Sequence, residues 1–445
     1  MIGSWLPWSP SWGSDGEGAT VVALGVVEVG LLAAVGWLPG ARGTPLPALA
    51  LWGGAFACYA AAAARLGGPG LRPGAGAERA PGLRTRDLWI VGIAARLALL
   101  PLLPHFTDDI YRYMWDGWVQ LNGVNPYVHP PAAPELAELR TAWHGLVNHP
   151  GVSTIYPPAA QLVFAVLALA GPAVWVFKAA WVVADLAAAE VIRRLARRRG
   201  GDGRLPLLLY LWCPLLLVEV AWSGHLEPLG LLPMTLALAA GAAGGGAWLA
   251  LSAGVKFAPA AALPALWRRR GGRAALLFAA VAGALTLPYL LGAGSAMTDG
   301  LLEYARRWSF NPGPHRLLSA VLGGADPARW AGAVAVAGVA GWAAWRRWPL
   351  ERTLLWTVGA GLLVSPTLHP WYVLWVLPLA ALRGSRGWIL FTGTALLGYW
   401  HHETFMATGQ WPQPAWLSAL TWAPPILLLA VDGAREREAA STPGS

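Results

Sequence analysis

Twelve apolar runs follow one another along this chain, and arginine clusters stand between alternate pairs of them. The runs are 17–38, 46–65, 87–104, 172–192, 205–222, 228–245, 274–292, 328–345, 353–366, 371–383, 387–400 and 415–431. A helix needs roughly 20 apolar residues to cross a hydrocarbon core about 30 Å thick. Inside that core every backbone N–H and C=O must find a partner within the protein, so such runs are expected to be helices. Charged residues make up only 12% of the chain, and its mean hydropathy is +0.48. Soluble domains carry about 25% charged residues, which excludes a soluble enzyme. Two cysteines, Cys58 and Cys213, exclude a disulfide scaffold and read as small packing residues.

The net charge of +9 does not imply nucleic acid, because the basic residues sit between spans and form no single face. Loops 65–86 (with Arg65, Arg72, Arg79, Arg84 and Arg86), 193–204, 268–273, 346–352, 383–386 and 435–437 are arginine-rich and are expected to be cytoplasmic. The alternate loops, 105–156, 223–227, 293–315, 367–370 and 401–414, are rich in His, Trp, Tyr, Asn and Pro and would face outward. The N-terminus lacks a positive stretch and a cleavage-like site, so the first run reads as a retained span. The expectation is an all-α polytopic protein with a single integral membrane domain over 1–445. It would have about twelve transmembrane helices, both termini cytoplasmic, and lie in the cell's inner (plasma) membrane.

Two further apolar segments, 157–171 and 246–264, cannot be simple crossings without placing an arginine cluster outside. The first opens on Pro157-Pro158 and reads as a partly inserted helix. The second is broken at Lys256-Phe257-Ala258-Pro259. Irregular backbone at membrane depth is tolerated only where protein buries it or a wet cavity borders it, so both segments point to a cavity.

The outer loop 105–171 holds the densest chemistry. Thr107 is a candidate N-cap, with Asp108 and Asp109 in the first turn where carboxylates complement the helix dipole. Ile110, Met114, Trp118 and Leu121 form an apolar stripe. Asp109, Arg112, Tyr113, Asp116 and Gln120 fall opposite, and Asn122-Gly123 ends the helix. This predicts an amphipathic helix at the outer interface, with acids aimed at water or a cleft. A plain surface helix whose acids cap it and pair with Arg112 is the competing reading. The placement beside a span in a charge-poor chain favours function.

The stretches TDDIYRYMWDG (107–117), GVNPY (123–127) and IYPPAAQLVF (155–164) resemble the first outer loop of GT-C membrane glycosyltransferases. The likeness is to polyprenol-phosphate-mannose-dependent mannosyltransferases, including the GPI mannosyltransferase I group and its bacterial relatives. It extends more weakly to 222–238, 253–264, 306–312 and 365–378. The acids here are adjacent, whereas the eukaryotic group spaces them as D-x-D.

The resemblance implies transfer of a hexose, mannose first, from a polyprenyl-phosphate donor to a lipid or glycan acceptor at the extracytoplasmic face, with inversion. One of Asp108 and Asp109 would be the general base, Asp109 the less favoured because it falls beside Arg112, and a divalent cation shared by the pair stays open. Cationic candidates for the leaving phosphate are Arg112, Lys256, Arg306, Arg307 and His369. Lys256 stands out as one of only two lysines, placed in an apolar segment before a helix break; snorkelling to an interface is the alternative. Lys178 reads as a span-end lysine. His225 and Glu227 either orient a substrate or form an ordinary polar turn. Trp371 and Tyr372 offer faces to a sugar or belong to an interfacial belt. Asp116, Asn125, Tyr127 and Tyr156 are binding or structural. His401, His402 and Glu403 read as a solvated loop, and Glu28, Asp185 and Glu219 as buried partners of Arg or water. No phosphate-binding loop, dinucleotide fingerprint or serine elbow is present, so nothing suggests a nucleotide-sugar donor. A transporter or flippase of a lipid-linked sugar is the competing class. It would show paired repeats with mid-membrane charges in both halves, and no repeat is visible.

Overall fold

The computed structural model describes residues 16–37, 45–68, 70–71, 80–241 and 244–441. Arg72, Arg79 and most of the Gly/Pro-rich 67–83 loop lie outside them. Among the described residues the protein is all-helical, with a lone parallel bridge between Phe310 and Thr367. Among the described residues four helices are long and apolar enough to cross a membrane: Gly16–Trp37, Leu46–Gly67, Gly272–Arg307 and Ala415–Ala434. The pair Arg204–Leu211 and Pro214–Trp222, bent by 43°, would make a fifth. The other runs fold into helices that are shorter, broken, more charged or, like Ala325–Trp345, less apolar. Residues 371–383, for instance, split into Pro370–Trp375 and Leu377–Arg383, and Val174–Arg198 carries Lys178, Asp185 and Glu190.

The bent pair is the centre of the molecule. Every residue from 203 to 228 is buried, and the surrounding core is continuous with it. Pro214 has no N–H to continue the preceding helix, which accounts for the bend after Leu211. The segment then ends in a π-helical turn, Leu217–Trp222. Around it pack Pro45–Gly67, Thr85–Leu99, Val174–Arg198 and Leu377–Arg383. Burial against protein gains little over burial against lipid tails, so close packing and polar bonds set the arrangement. Arg96 donates from Nε to Asp185 Oδ2 at 2.5 Å and from Nη1 to the carbonyls of Gly92 and Leu211. Lys178 donates to the carbonyls of Leu100 and Leu102, which closes the end of the Thr85–Leu99 helix. Glu28 is fully buried within the field of Arg96.

The two segments expected to border a cavity meet each other. The helix Pro158–Ala168 begins with the free N–H groups of Ala159 and Ala160, and both donate to Gly254 O, at 2.9 and 3.1 Å. Gly254 lies where the Gly244–Ala253 helix stops, before a 3-10 turn at Ala258–Ala262 and the helix Leu263–Arg270. Each irregular end thus satisfies groups that the other leaves open.

The helix Asp109–Leu121 rests on Pro158–Ala168 through Gly117, where a Cβ would collide with the Phe164 carbonyl oxygen. Backbone cannot yield as a side-chain tip does. Gly117→Val is therefore expected to destabilise the protein by about 1–3 kcal/mol, read as a lower melting temperature in detergent. An unchanged melting temperature would show that the two helices do not approach so closely.

Candidate active site

The Asp109–Leu121 helix starts one residue later than the sequence suggests. Asp108, not Thr107, takes the N-cap position, and its side chain makes no capping bond. Thr107 Oγ1 accepts the Asp109 N–H instead, at 3.3 Å. Both carboxylates are thereby left free of the helix end. They converge on Asn148, whose Nδ2 donates to Asp108 Oδ1 at 3.0 Å and to Asp109 Oδ1 at 2.6 Å. Asp108 is exposed and Asp109 half-buried. Asp109 Oδ2 also faces the Tyr156 hydroxyl at 3.4 Å and His225 Nδ1 at 3.7 Å.

The polar side of this helix does not face water. Arg112 Nε donates to Asp116 Oδ1 at 2.9 Å, and both residues are buried. Asp116 Oδ2 accepts from Thr154 Oγ1 at 2.5 Å and Gln161 Nε2 at 2.9 Å. Arg112 is therefore Asp116's partner, not a neutraliser of Asp109. Its Nη2 is buried without a bond.

A cavity of about 780 Å³ opens beside the aspartates. Asp108, Asp109, Arg112, Tyr156, Lys256, His369, Trp371 and Tyr372 all line it. Asn148, His149, Tyr304, Trp308, Phe310 and Tyr399 complete its polar and aromatic walls, while Phe257, Leu301, Val358 and Leu362 make an apolar side. Lys256 emerges at the helix break, binds Glu227 Oε1, and lies 4.4 Å from the centre of the Tyr372 ring. Glu227 is buried directly behind it. Tyr372 and Tyr304 share a 2.6 Å hydrogen bond between hydroxyls.

The other sequence candidates lie outside this wall. Asn125 donates to Tyr289 O and Tyr127 to Tyr156 O, so the NPY turn ties the loop to its neighbours. Arg306 and Arg307 are exposed, and Arg307 pairs with Glu303. His402, expected in a solvated loop, is buried against His105 and Phe106, because the chain there forms the helix His402–Thr408. The Glu403 side chain lies outside the described residues.

Burial lifts the Asp109 carboxyl to about 7; Asp108 adds to the shift, while Lys256 and the Asn148 hydrogen bond oppose it. His369 is pushed down to about 3, by burial first and then by Lys256, so it is neutral. Among the described residues no group of three or more His, Cys, Asp or Glu could hold a metal ion. The Asn148 amide instead bridges the two carboxylates through its hydrogens.

Residues 12–268, more than half of the chain, match the family described as alpha-(1->6)-mannopyranosyltransferase, N-terminal domain. The chain belongs to that family. It is a membrane mannosyltransferase. No curated protein and no solved structure shows a match. The matched part of the enzyme carries both aspartates, Asn148, His225, Glu227 and Lys256. His369, Trp371, Tyr372 and Tyr304 come from the remainder, so the cavity is assembled from both.

Of the residues at the cavity, Asn148 is the one that sequence reasoning passed over with the largest consequence. It lies 39 residues after Asp109 in an irregular loop, and nothing local distinguishes it.

Proposed function

We propose that this enzyme moves mannose from a polyprenyl-phosphate donor onto a hydroxyl of a lipid or glycan acceptor, inverting the anomeric carbon. The site would face the extracytoplasmic side of the inner membrane, within a GT-C-like body of about twelve spans. The linkage would be the alpha-(1->6) bond of the family description. The observation that carries this reading is the pairing, in one cavity, of a half-buried carboxylate with raised proton affinity and a lysine at a helix break.

Asp109 acts as the base. It takes the acceptor's hydroxyl proton as the new carbon–oxygen bond forms and the bond from the sugar to phosphate breaks. The electrons of that bond leave with the phosphate, whose charge Lys256 meets. Arg112 also lines the cavity, and its Nη2, buried and unbonded, would become a second donor for the same phosphate if the side chain turned toward it. Tyr372 and Trp308 offer ring surface to the sugars, and Trp371, stacked between His225 and His369, offers its edge. The apolar side made by Phe257 and Leu301 adjoins the long helix Gly272–Arg307, whose Leu276, Leu287 and Leu291 are exposed. That continuity favours a donor held by a lipid chain.

Only the carboxylate form of Asp109 can act as base. Turnover should therefore rise with pH through about 7 and fall about tenfold per pH unit well below it. A profile of kcat/KM that stays flat down to pH 5 would contradict the assignment. The function itself is tested by giving the purified protein in nanodiscs two donors, polyprenyl-phosphate mannose and a nucleotide-linked mannose, with a mannoside acceptor. Transfer from the lipid donor alone is expected. Transfer from the nucleotide sugar would overturn the reading, and so would no transfer from the lipid.

A further inference from the structure

Beneath Asp109 lies a chain of groups that the transfer itself does not require. His225 sits in the turn between the π-helical stretch and the Glu227–Ala239 helix, with none of its surface exposed. Its Nδ1 is 3.7 Å from Asp109 Oδ2, and its Nε2 is 3.3 Å from Glu219 Oε2. Neither Nε2 nor Oε2 has a hydrogen bond elsewhere. Two facing lone pairs in a dry interior would repel, whereas one proton between them satisfies both atoms. Carried on Nε2, that proton leaves a lone pair on Nδ1, which faces Asp109 and lies 3.5 Å from the Tyr113 hydroxyl.

The geometry is held from every side. The imidazole stacks on Trp371 at 3.8 Å, Trp371 on His369 at 4.4 Å, and His369 on Phe310 at 4.5 Å. Tyr399 donates to the other oxygen of Glu219 at 2.8 Å. The π-helical turn sets Glu219 at this point, and such turns recur at functional sites. The charged and titratable groups around His225 are Asp109, Tyr113, Glu219, Glu227, Lys256, His369 and Tyr399. Lys178 packs against Gly224, but its ammonium is bound to the Leu100 and Leu102 carbonyls. Burial, then Lys256 and His369, hold the ring neutral at rest.

We propose that Asp109, His225 and Glu219 form a proton relay that clears the base during each mannosyl transfer. The proposal rests on Asp109 being the base. The acceptor's O–H bond breaks and Asp109 gains the proton. The Asp109 O–H bond then breaks as Nδ1–H forms, and Nε2–H breaks as the Glu219 O–H forms. One proton has moved from acceptor to Glu219, and His225 is again neutral in its other tautomer. After product leaves, the same steps in reverse return the proton to Asp109 and to water in the cavity. The 3.7 Å gap between His225 Nδ1 and Asp109 Oδ2 is of the kind that closes when substrate fills a site. His225 and Glu219 touch no reacting atom and are positioning residues.

The test measures transfer from polyprenyl-phosphate mannose by the wild type, Asp109→Asn, Glu219→Gln and His225→Asn. The Glu219→Gln side chain keeps the shape of the acid and an acceptor for Tyr399. Glu219→Gln and His225→Asn should each lower kcat about 10²-fold, with KM within about threefold and melting temperature near the wild type's. In mixed light and heavy water, the wild-type rate should fall along a curve, because more than one proton is in flight, and Glu219→Gln should give a straight line. A merely structural role would move melting temperature and not this curvature. Wild-type kcat in Glu219→Gln overturns the relay. A straight line for the wild type overturns it even if both variants fail to fold. Wild-type activity in Asp109→Asn would instead overturn the assignment of the base.

Discussion

Asp109→Asn is expected to abolish nearly all transfer, on the order of 10³-fold in kcat, while the protein stays folded and binds its donor. On the proposed mechanism the loss is that of a general base, which contributes about 10²–10⁴-fold. The amide keeps the shape of the carboxylate and still offers an oxygen to Asn148. Stability should move the other way. Folding lifts the Asp109 carboxyl from its ordinary 3.8 to about 7, so the folded state disfavours the charge. Protein stability linked to this group is therefore greatest below about pH 4 and declines as pH rises through about 7. At pH 8 the neutral asparagine removes that penalty, and the variant should melt no lower than the wild type and higher if nothing else changes. Melting curves and initial rates on one preparation check both parts. A variant that loses activity and stability together would mark Asp109 as a packing residue. Asp108→Asn gives a contrast: its charge raises the Asp109 carboxyl, so removing it should shift the acid limb below 7 and leave most of the turnover at pH 8.

Scarcity of charge makes part of this site legible from sequence. In a chain this apolar, adjacent aspartates after a span and a lysine at a helix break stand out, and Asp108, Asp109, Lys256, His369, Trp371 and Tyr372 do line one cavity. The irregular segments around Pro158 and Gly254 are legible for the same reason, since unpaired backbone within an apolar run needs a partner. What could not be read depends on packing between distant parts. Asn148 is an ordinary loop polar residue until the fold sets it between two carboxylates. Arg306 and Arg307 have the charge of phosphate donors, but Leu301, Tyr304 and Trp308 recur at helical spacing and turn inward, which leaves the arginines outside. The apolar runs are legible as helices and not as uninterrupted crossings. Pro214, Pro259 and Pro370 break them, and a hydropathy pattern alone does not say how far the chain bends at each.

Lys256→Met should combine two losses that a second substitution can separate. Glu227 is wholly buried and its bonded partner is Lys256. Removing one member of a buried pair leaves an uncompensated charge and costs about 3–5 kcal/mol; the lysine is about one-fifth exposed, which favours the lower end, about 3 kcal/mol. On the proposed mechanism the enzyme also loses the cation that meets the departing phosphate, worth on the order of 10²–10³-fold in kcat by analogy with other charge-stabilising donors. Lys256→Met with Glu227→Gln leaves no charge to compensate, so its melting temperature should recover most of the way. Its turnover should not recover, because the phosphate still lacks its lysine. If the double variant regains both, Lys256 serves only to neutralise Glu227, and Arg112, which lines the same cavity and has an unbonded Nη2, becomes the donor that the leaving group uses. Arg112→Lys, which keeps the charge but not the fork that spans Asp116 and the cavity, would then carry the catalytic loss.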